Sequence, residues 1–273
     1  HLDTSKWILK EYEAMQTKYF ENIEKYQFHE IASLIYHFTW HTFCDWYIEF
    51  IKSDFADDNK AEETKKVSGW VYIQILKLLH PIMPFITEKL WLSLVDTKSF
   101  LMSQNFTKVA FNNSFDESKI YTKKIIEIMT SLRNLRADLN ISYKNEIEVF
   151  AETKNDDLMR FICNFQNEFK RLIKIKSIKF ESVSSQEKSA FIVLNEITIL
   201  IPLQGIVDTD KEKSKLNHKK NIYTKKLKTV LEKLNNKAFI DKAPDNVIEN
   251  FKIQEKEINS SIEKIDEIIN TIN

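Results

Sequence analysis

The chain has 273 residues, 43% of them hydrophobic and 12% aromatic, so it is long enough to bury cores in more than one folding unit. Only two glycines and four prolines occur, which predicts long helices and excludes a turn-rich all-β protein. The 40 basic and 40 acidic residues cancel, so attraction to a polyanion must come from locally clustered Lys and Arg.

Cysteine usage and hydropathy indicate a cytoplasmic protein. Cys44 and Cys163 lie far apart and form no paired framework, as is typical of reduced thiols in cytosolic proteins. The most apolar window, 67–87, approaches the length of a membrane span, but Lys77, His80 and two prolines sit near its middle. We therefore expect a cytoplasmic location and no membrane partner.

Three helices are predicted in the first part of the chain. The side chains of residues 3–5 offer N-cap oxygens for the first helix, whose apolar positions recur at helical spacing. The second helix is predicted at 29–52 and the third at 65–79, separated by an exposed acidic loop at 53–63. The predicted core side of the second helix carries Ile31, Ile35, Phe38, Thr42 and Trp46, with Phe43 and Tyr47 widening the stripe.

The phrase TWHTFCDWYIEF, residues 39–50, is rich in aromatic residues and suggests a metal site. His37 and His41 lie four residues apart and Cys44 follows three later, so all three lie near one helix face. No HExxH pattern and no second ligand pair accompany them, so we favour core packing and expect no metal. Asp45 is expected to bind a neighbouring helix terminus or a cation.

Two prolines divide the apolar segment LLHPIMPFITEKLW, residues 78–91. Pro81 and Pro84 lack amide donors, so the helix before Leu79 cannot run straight into the helix after Phe85. The residues alone predict a kinked core segment of a helical bundle that packs against a large surface.

Arginine is scarce, and two of the four arginines share one helical turn. A predicted helix carries the phrase SLRNLRADLNI, residues 131–141, with Arg133 and Arg136 beside its apolar stripe. A guanidinium can fork onto a phosphate or stack on a base, which lysine does less well. It can equally bridge to Glu127, Asp138 or a neighbouring helix, so RNA contact and salt bridging both remain open.

After Asn140 the periodicity changes to that of a small mixed subdomain. Alternating apolar residues predict short strands, and residues from Leu158 to Ile173 return to helical spacing between the first two strands. One helix on a small antiparallel sheet would bury both apolar faces. The strands are predicted at 146–152, 177–181, 190–194 and 196–202.

The last part of the chain predicts two helices that fold back on each other. Apolar positions follow a heptad seam in both, and Ala243 with Pro244 separates them, so the chain must reverse there. The first helix is rich in lysine and the second in Asp and Glu. Cross-helix attraction explains this pattern, and so does a basic edge that lies along a phosphate backbone. Because the hairpin pairs internally, we expect a monomer.

Four phrases, in the expected order, resemble the C-terminal part of valyl-tRNA synthetases. They are TWHTFCDWYIEF, LLHPIMPFITEKLW, SLRNLRADLNI and IPLQGIVDTDKEKSKL, the last at 201–216, and the resemblance spans essentially the whole chain. One departure is visible. Relatives commonly place prolines after the Asn-Ile pair, where this chain has Ser142 and Tyr143, so a less rigid helix exit is expected.

The resemblance implies a mainly α fold in three parts. These are a class I synthetase-type anticodon-binding helix bundle at 1–142, a small α+β subdomain at 143–205 and an antiparallel coiled-coil hairpin at 206–273, the tRNA-binding arm. In this family the bundle reads the anticodon and the arm braces the outer corner of the tRNA. The implied partners are tRNA, in particular tRNA(Val), and the catalytic and editing domains of the same polypeptide.

Candidate RNA contacts follow from this resemblance and from the chemistry of the residues. Aromatic rings stack on bases, and each such contact contributes about 1–3 kcal/mol. The predicted nucleic-acid-binding residues are Phe28, Trp40, His41, Arg133 and Arg136 near the anticodon, and Lys211, Lys215, Lys219 and Lys226 on the arm. Burial of Trp40 would remove it from this set.

The chain lacks the signatures with which a class I synthetase binds ATP. Neither His-x-Gly-His nor Lys-Met-Ser-Lys-Ser occurs, and the two isolated glycines cannot build a phosphate-binding loop. We expect no catalytic residue and no cofactor in this segment; ATP would be used by the catalytic core of the parent enzyme. Two alternatives remain: the matching part of an isoleucyl or leucyl synthetase, and a helical interaction module without an RNA role.

Overall fold

The computed structural model describes residues 2–95, 99–181, 189–203, 209–234 and 245–272. The chain divides into two compact units, 1–127 with 160–168 and 128–159 with 169–273. The described residues are mainly helical and include a four-stranded sheet, which confirms the predicted fold class.

Helices form the first unit. The fourth α-helix begins at Asp58, inside the segment 53–63 that was predicted as an acidic loop, so about half of that segment is α-helical. Asp57 caps this helix by accepting the Asn59 amide hydrogen at 3.0 Å. The first helix begins at Asp3 itself, and no side chain caps it. The α-helices are α1 (Asp3–Glu24), α2 (Phe28–His37), α3 (Ile48–Ile51), α4 (Asp58–Leu79) and α5 (Pro84–Leu94), with a π-helix at Phe38–Tyr47 and α6 (Asp116–Asp138) running on into the second unit.

Aromatic side chains build the core of the first unit. Trp7, Tyr12, Tyr47 and Phe50 are all less than 2% exposed. The Phe50 ring lies 5.8 Å from Trp7 and 5.2 Å from Phe165, centroid to centroid. Buried aromatic pairs at this spacing contribute about 0.5–1.5 kcal/mol beyond their buried area.

The two prolines end one helix and start the next, as predicted. α4 ends at Leu79 and α5 begins with Pro84 in its first turn. The prediction that the segment is core is wrong for its middle: Phe85 is 91% exposed, and Ile82 and Ile86 are 44% and 46% exposed. Only Thr87 and Trp91 of α5 are buried.

The second unit contains a mixed sheet, where an antiparallel sheet was predicted. The strand order is β2-β1-β4-β3; β1 and β2 pair in parallel, and the other neighbours are antiparallel. Two helices join β1 to β2, and such a crossover permits parallel pairing. The elements are β1 (Ile147–Glu152), α7 (Asp156–Asn164), α8 (Gln166–Ile173), β2 (Ile175–Phe180), β3 (Ser189–Leu194) and β4 (Ile197–Pro202). The single helix predicted from 158 to 173 is therefore two.

Two long helices, α9 (Thr209–Leu234) and α10 (Asp245–Ile272), form the arm. Lys220 pairs with Asp266, and the Lys233 ammonium lies 4.9 Å from the Phe251 ring centroid, so the helices run antiparallel. The turn predicted at Ala243 and Pro244 lies outside the described residues. No helix within the described ranges is long and apolar enough to cross a membrane.

Candidate nucleic-acid interface

An exposed aromatic surface lies where α2 passes into the π-helix, and we define it by Tyr36, His37, Trp40 and His41. The Tyr36 and Trp40 rings are stacked, with centroids 6.3 Å apart and an interplanar angle of 5°. The His37 and His41 rings lie 5.3 Å apart, and both contact Tyr36. Tyr36 is 56% and Trp40 55% exposed. Exposed ring faces of this kind are the surfaces on which unpaired bases stack.

The π-helix decides which rings are exposed. A π-helix is defined by backbone hydrogen bonds between residues five apart, and here the Ile48 N–H donates to the Phe43 carbonyl. Phe38, Phe43 and Tyr47 therefore reach the core. The α-helical spacing predicted Thr42 and Trp46 there, and this prediction is wrong, because both are only half-buried.

The candidate metal ligands on this helix have other roles. His41 Nδ1 lies 3.1 Å from Asp45 Oδ2, so Asp45 contacts a side chain of its own helix rather than a neighbouring helix terminus. Burial, and then the Asp45 carboxylate, raise the pKa of the Cys44 thiol, which favours its neutral form. Among the described residues, no group of three or more His, Cys, Asp or Glu side chains could hold a metal ion.

Phe28 belongs to a second exposed aromatic pair. Its ring is 63% exposed and lies 6.3 Å from that of Tyr26, which is 80% exposed. Tyr26, two residues after the end of α1, has a φ of 56°. The Gln27 amide donates to the Asn22 carbonyl and the Tyr26 amide to the Ile23 carbonyl, the pattern of helix ends that favour glycine or asparagine. The chain thus holds an exposed tyrosine in an unfavourable backbone conformation.

Arg136 is buried, which corrects its predicted role as a direct RNA contact. The residue is 6% exposed, and its Nη2 donates to the Ser142 and Asn145 carbonyls at 2.8 Å each. Burial lowers the pKa of the Arg136 guanidinium. Asn140, two residues after the end of α6, has a φ of 49°, and Arg136 holds the turn that follows. The exit that was expected to be less rigid without prolines is therefore tied to the helix by a side chain.

Arg133 lies on the surface, one turn before Arg136. It lines a cleft of about 480 Å³ together with Asn140, Tyr143 and Leu172. Tyr143 is 60% exposed. The structure therefore separates the two arginines that the sequence treated as a pair: one supports the backbone, and the other faces solvent.

The arm helices carry Lys226, which is exposed and lies 5.7 Å from the Tyr223 ring centroid. Lys220 is held by Asp266 at 2.5 Å, so cross-helix attraction explains at least this lysine. Other described lysines of α9, at 225, 228 and 233, are exposed. The side chains of Lys211, Lys215 and Lys219 lie outside the described residues.

The structure brings together Trp40 and His41 with two residues that the sequence did not nominate as RNA contacts, Tyr36 and His37. A signal was present, because Tyr36 and Trp40 are four residues apart, the spacing at which helical side chains meet. Phe28 and Arg133 are exposed as their predicted role requires, and their contact with RNA remains a prediction.

Family comparison covers both ends of the chain. Residues 5–151, more than half of the chain, match the anticodon-binding domain of tRNA ligases. Residues 208–273 match the tRNA-binding arm of valyl-tRNA synthetases. The aromatic surface lies inside the first match, and the helices α9 and α10 lie inside the second.

Individual relatives agree with these matches. The chain is 31% identical to the valine–tRNA ligase of Oceanobacillus iheyensis, over 92% of this chain and 29% of the relative. It is 36% identical to the enzyme of Zymomonas mobilis, over 90% of this chain and 28% of the relative. It is 30% identical to the enzyme of Aquifex aeolicus, over 98% of this chain and 24% of the relative. The chain thus spans less than a third of the length of these relatives. It belongs to the family of tRNA ligase anticodon-binding domains, in the form that continues into the tRNA-binding arm of valyl-tRNA synthetases.

Proposed function

We propose that this chain is the tRNA-binding part of a valine–tRNA ligase. It would hold tRNA(Val) while a catalytic core elsewhere in a longer polypeptide uses ATP to join valine to it. The observation that carries this proposal is the pair of family matches, with an anticodon-binding domain followed by the arm of valyl enzymes. The arm match also favours the valyl assignment over the isoleucyl or leucyl alternative.

The aromatic surface supports a role in holding the anticodon loop. Its rings are already stacked on one another and need no rearrangement to present their faces. Stacking contributes about 1–3 kcal/mol per base and tolerates different bases. We assign Trp40, His41 and Tyr36 to this contact, and we add Phe28, the first residue of α2.

The arm supports a second contact, with the tRNA backbone. α9 carries exposed lysines at 225, 226, 228 and 233. Lysine side chains attract phosphates as point charges and bind them without reading sequence. We therefore assign Lys226, and by their position on the same helix Lys211, Lys215 and Lys219, to the outer part of the tRNA. We further propose that the chain acts in the cytoplasm as a monomer.

The exposed surface of α5 supports a contact with the rest of the same polypeptide. Phe85, Leu92 and Met102 line a groove of about 710 Å³, and they are 91%, 50% and 75% exposed. Glu88 fixes Met102 beside α5 by accepting the Leu101 amide hydrogen at 2.8 Å. A preformed apolar surface of this kind marks an interface. Since the relatives are more than three times longer, we assign it to the part of the polypeptide that contains the catalytic core.

The tRNA proposal is tested by measuring the Kd of this chain for a tRNA(Val) transcript at low salt. We expect the Trp40→Ala variant to bind about tenfold more weakly. The control is Phe55→Ala, which removes another exposed ring of the same unit and should change the Kd less than about twofold. A tRNA(Ile) transcript should compete poorly. Absence of binding by the unaltered chain would favour a helical interaction module instead.

The α5 contact is tested by mixing this chain with the part of the Oceanobacillus iheyensis valine–tRNA ligase that precedes the matched segment. We expect a complex on size-exclusion chromatography, and Phe85→Asp should abolish it because a buried unpaired charge is costly. Val193→Asp, which alters another exposed apolar residue, on β3, is the matched control. Equal binding by both variants would remove α5 from the contact.

A further inference from the structure

Two of the four arginines of this chain line one cleft of the second unit, and a third is a chain neighbour of a lining residue. Arg133 and Arg136 line it, and Arg171 directly precedes the lining residue Leu172. The cleft has a volume of about 480 Å³, and none of the described residues that line it is acidic. That volume falls within the range of roughly 300–1,000 Å³ typical of sites for small molecules, so it accommodates a nucleotide.

Arg136, a lining residue that is almost fully buried, places an uncompensated positive charge at the wall of this cleft. Its Nη2 donates to the Ser142 and Asn145 carbonyls, and its Nη1 has no hydrogen-bond partner among the described residues. No described carboxylate forms an ion pair with it. A buried charge without a counter-ion is costly, and an anion held in the cleft would offset that cost.

One of the lining residues is an exposed aromatic ring with a cation next to it. Tyr143 is 60% exposed, and its hydroxyl donates to the Arg171 carbonyl at 3.3 Å. The Lys174 ammonium lies 5.4 Å from the Tyr143 ring centroid. A base can stack on the aromatic face, and the ammonium can donate to a phosphate, so these two side chains suit the two parts of one nucleotide.

We propose that this cleft binds one unpaired nucleotide of an RNA strand, with its phosphate attracted by Arg133, Lys174 and the buried Arg136 and its base against Tyr143. Residues 171–174 lie between the two family matches, which end at 151 and begin at 208, so neither match covers this wall of the cleft. The inference rests on the proposed function, because the tRNA supplies the nucleotide. A free nucleotide offers the same chemistry from a different source.

The experiment measures tRNA(Val) affinity for four variants of the chain. We expect Tyr143→Ala to weaken binding about tenfold, and Tyr143→Phe to stay within about twofold of the unaltered chain, because phenylalanine keeps the stacking face. We expect Lys174→Met to weaken binding about threefold or more. Lys179→Met is the matched control, because Lys179 also lies over a ring, that of Phe150, in the same unit. It should change the affinity less than about twofold.

A second measurement separates a nucleotide of the RNA strand from a free nucleotide as the ligand of the cleft. Titration with AMP and with inorganic phosphate should leave tRNA bound at millimolar concentrations, since the RNA strand is the proposed source of the nucleotide. If AMP binding responds to Tyr143→Ala while tRNA affinity does not, the site is for a free nucleotide and the proposal is wrong. If the Tyr143→Ala variant does not fold, the proposal is decided by comparing the tRNA affinity of Lys174→Met with that of Lys179→Met.

The two proposals fail in distinguishable ways. An unaltered chain that does not bind tRNA at all contradicts the proposed function, and the cleft assignment falls with it. An unaltered chain that binds tRNA, with Tyr143→Ala and Lys174→Met no weaker than Lys179→Met, overturns the cleft assignment alone.

Discussion

Several single residues hold conformations or charges that a folded chain usually avoids. Tyr26 has a left-handed backbone, and Asp54 is a carboxylate that is only 8% exposed. Arg136 is a buried guanidinium bonded to carbonyls. Each of these features raises the free energy of the folded state, and a substitution at that position measures the effect as a change in the free energy of unfolding.

We expect the left-handed backbone of Tyr26 to lower the stability of the fold while its side chain contributes to tRNA binding. Because asparagine tolerates a φ of 56° better than tyrosine does, Tyr26→Asn should raise the free energy of unfolding by about 0.5–1 kcal/mol. The same variant should bind tRNA more weakly, since it removes the ring beside Phe28. Urea unfolding and tRNA titration measure the two effects. A fall in stability would show that the backbone of Tyr26 is not strained.

Asp54 should make stability depend on pH. Burial raises its pKa above 3.8; Lys60 opposes this shift, and Glu168 adds to it. The folded state therefore binds the proton more tightly than the unfolded state does. The contribution of Asp54 is most favourable below 3.8 and is lost as pH rises through the raised value.

The comparison with Asp54→Asn isolates this contribution. The free energy of unfolding of the variant, minus that of the unaltered chain, should increase as the pH rises from about 4 to 7. Urea titrations at several pH values give the difference. A flat or decreasing difference would mean that the Asp54 pKa is not raised by folding.

At the scale of elements, the π-helix and the arm helices differ from regular amphipathic helices in the side chains that they bury. The π-helix widens the helix locally, so that core residues fall five and four positions apart while Tyr36 and Trp40 stay at the surface. In the arm, Lys220 occupies a place in the apolar seam and is neutralised by Asp266 across the helix pair.

The π-helical register predicts unequal effects of two neighbouring substitutions. Phe43→Ala should lower the free energy of unfolding by about 3–5 kcal/mol, since Phe43 is 5% exposed and packs against Tyr47. Thr42→Ala should cost less than about 1 kcal/mol. Chemical denaturation of both variants tests the register. If both variants lose a similar free energy of unfolding, Thr42 faces the core as regular α-helical spacing predicts, and the π-helical register is wrong.

The pair of Lys220 and Asp266 should contribute only modestly to arm stability. Its side chains are 36% and 41% exposed, so water screens their attraction. A double-mutant cycle with Lys220→Ala and Asp266→Ala should give a coupling below about 1 kcal/mol that decreases at high salt. A coupling that salt does not change would place the pair in a drier environment.

For the whole molecule, zero net charge means that affinity for a polyanion depends on how the charges are placed. Lysines collect on α9 and acidic side chains on α10, so one helix of the arm presents a basic edge although the chain is neutral. Counter-ions released from the RNA then make binding depend on salt, and the dependence counts the phosphates contacted.

We therefore expect the logarithm of the tRNA binding constant to fall linearly with the logarithm of salt concentration, with a slope of about −3 to −5 for four to six contacted phosphates. Lys226→Gln should make the slope shallower by about 1. Lys256→Gln, an exposed lysine on the acidic helix α10, should leave it unchanged. A slope near zero would exclude the arm from backbone contact.

Several features followed from the residues without a structure. The prolines at 81 and 84 placed a helix boundary, because they remove amide donors whatever surrounds them. Alternating apolar residues located the strands, including Ile147–Glu152 within one residue. The order of four phrases identified the family, since it depends on local sequence and not on packing.

What the sequence by itself determined was therefore helix content, strand positions and family, all of which depend on neighbours along the chain. Only the tertiary structure decided that β1 and β2 pair in parallel, that a π-helix turns Phe43 inward and Trp40 outward, and that Arg136 is buried while Arg133 is exposed. Pairing, helix register and burial depend on which distant segments pack together, and a single local pattern is compatible with more than one such arrangement.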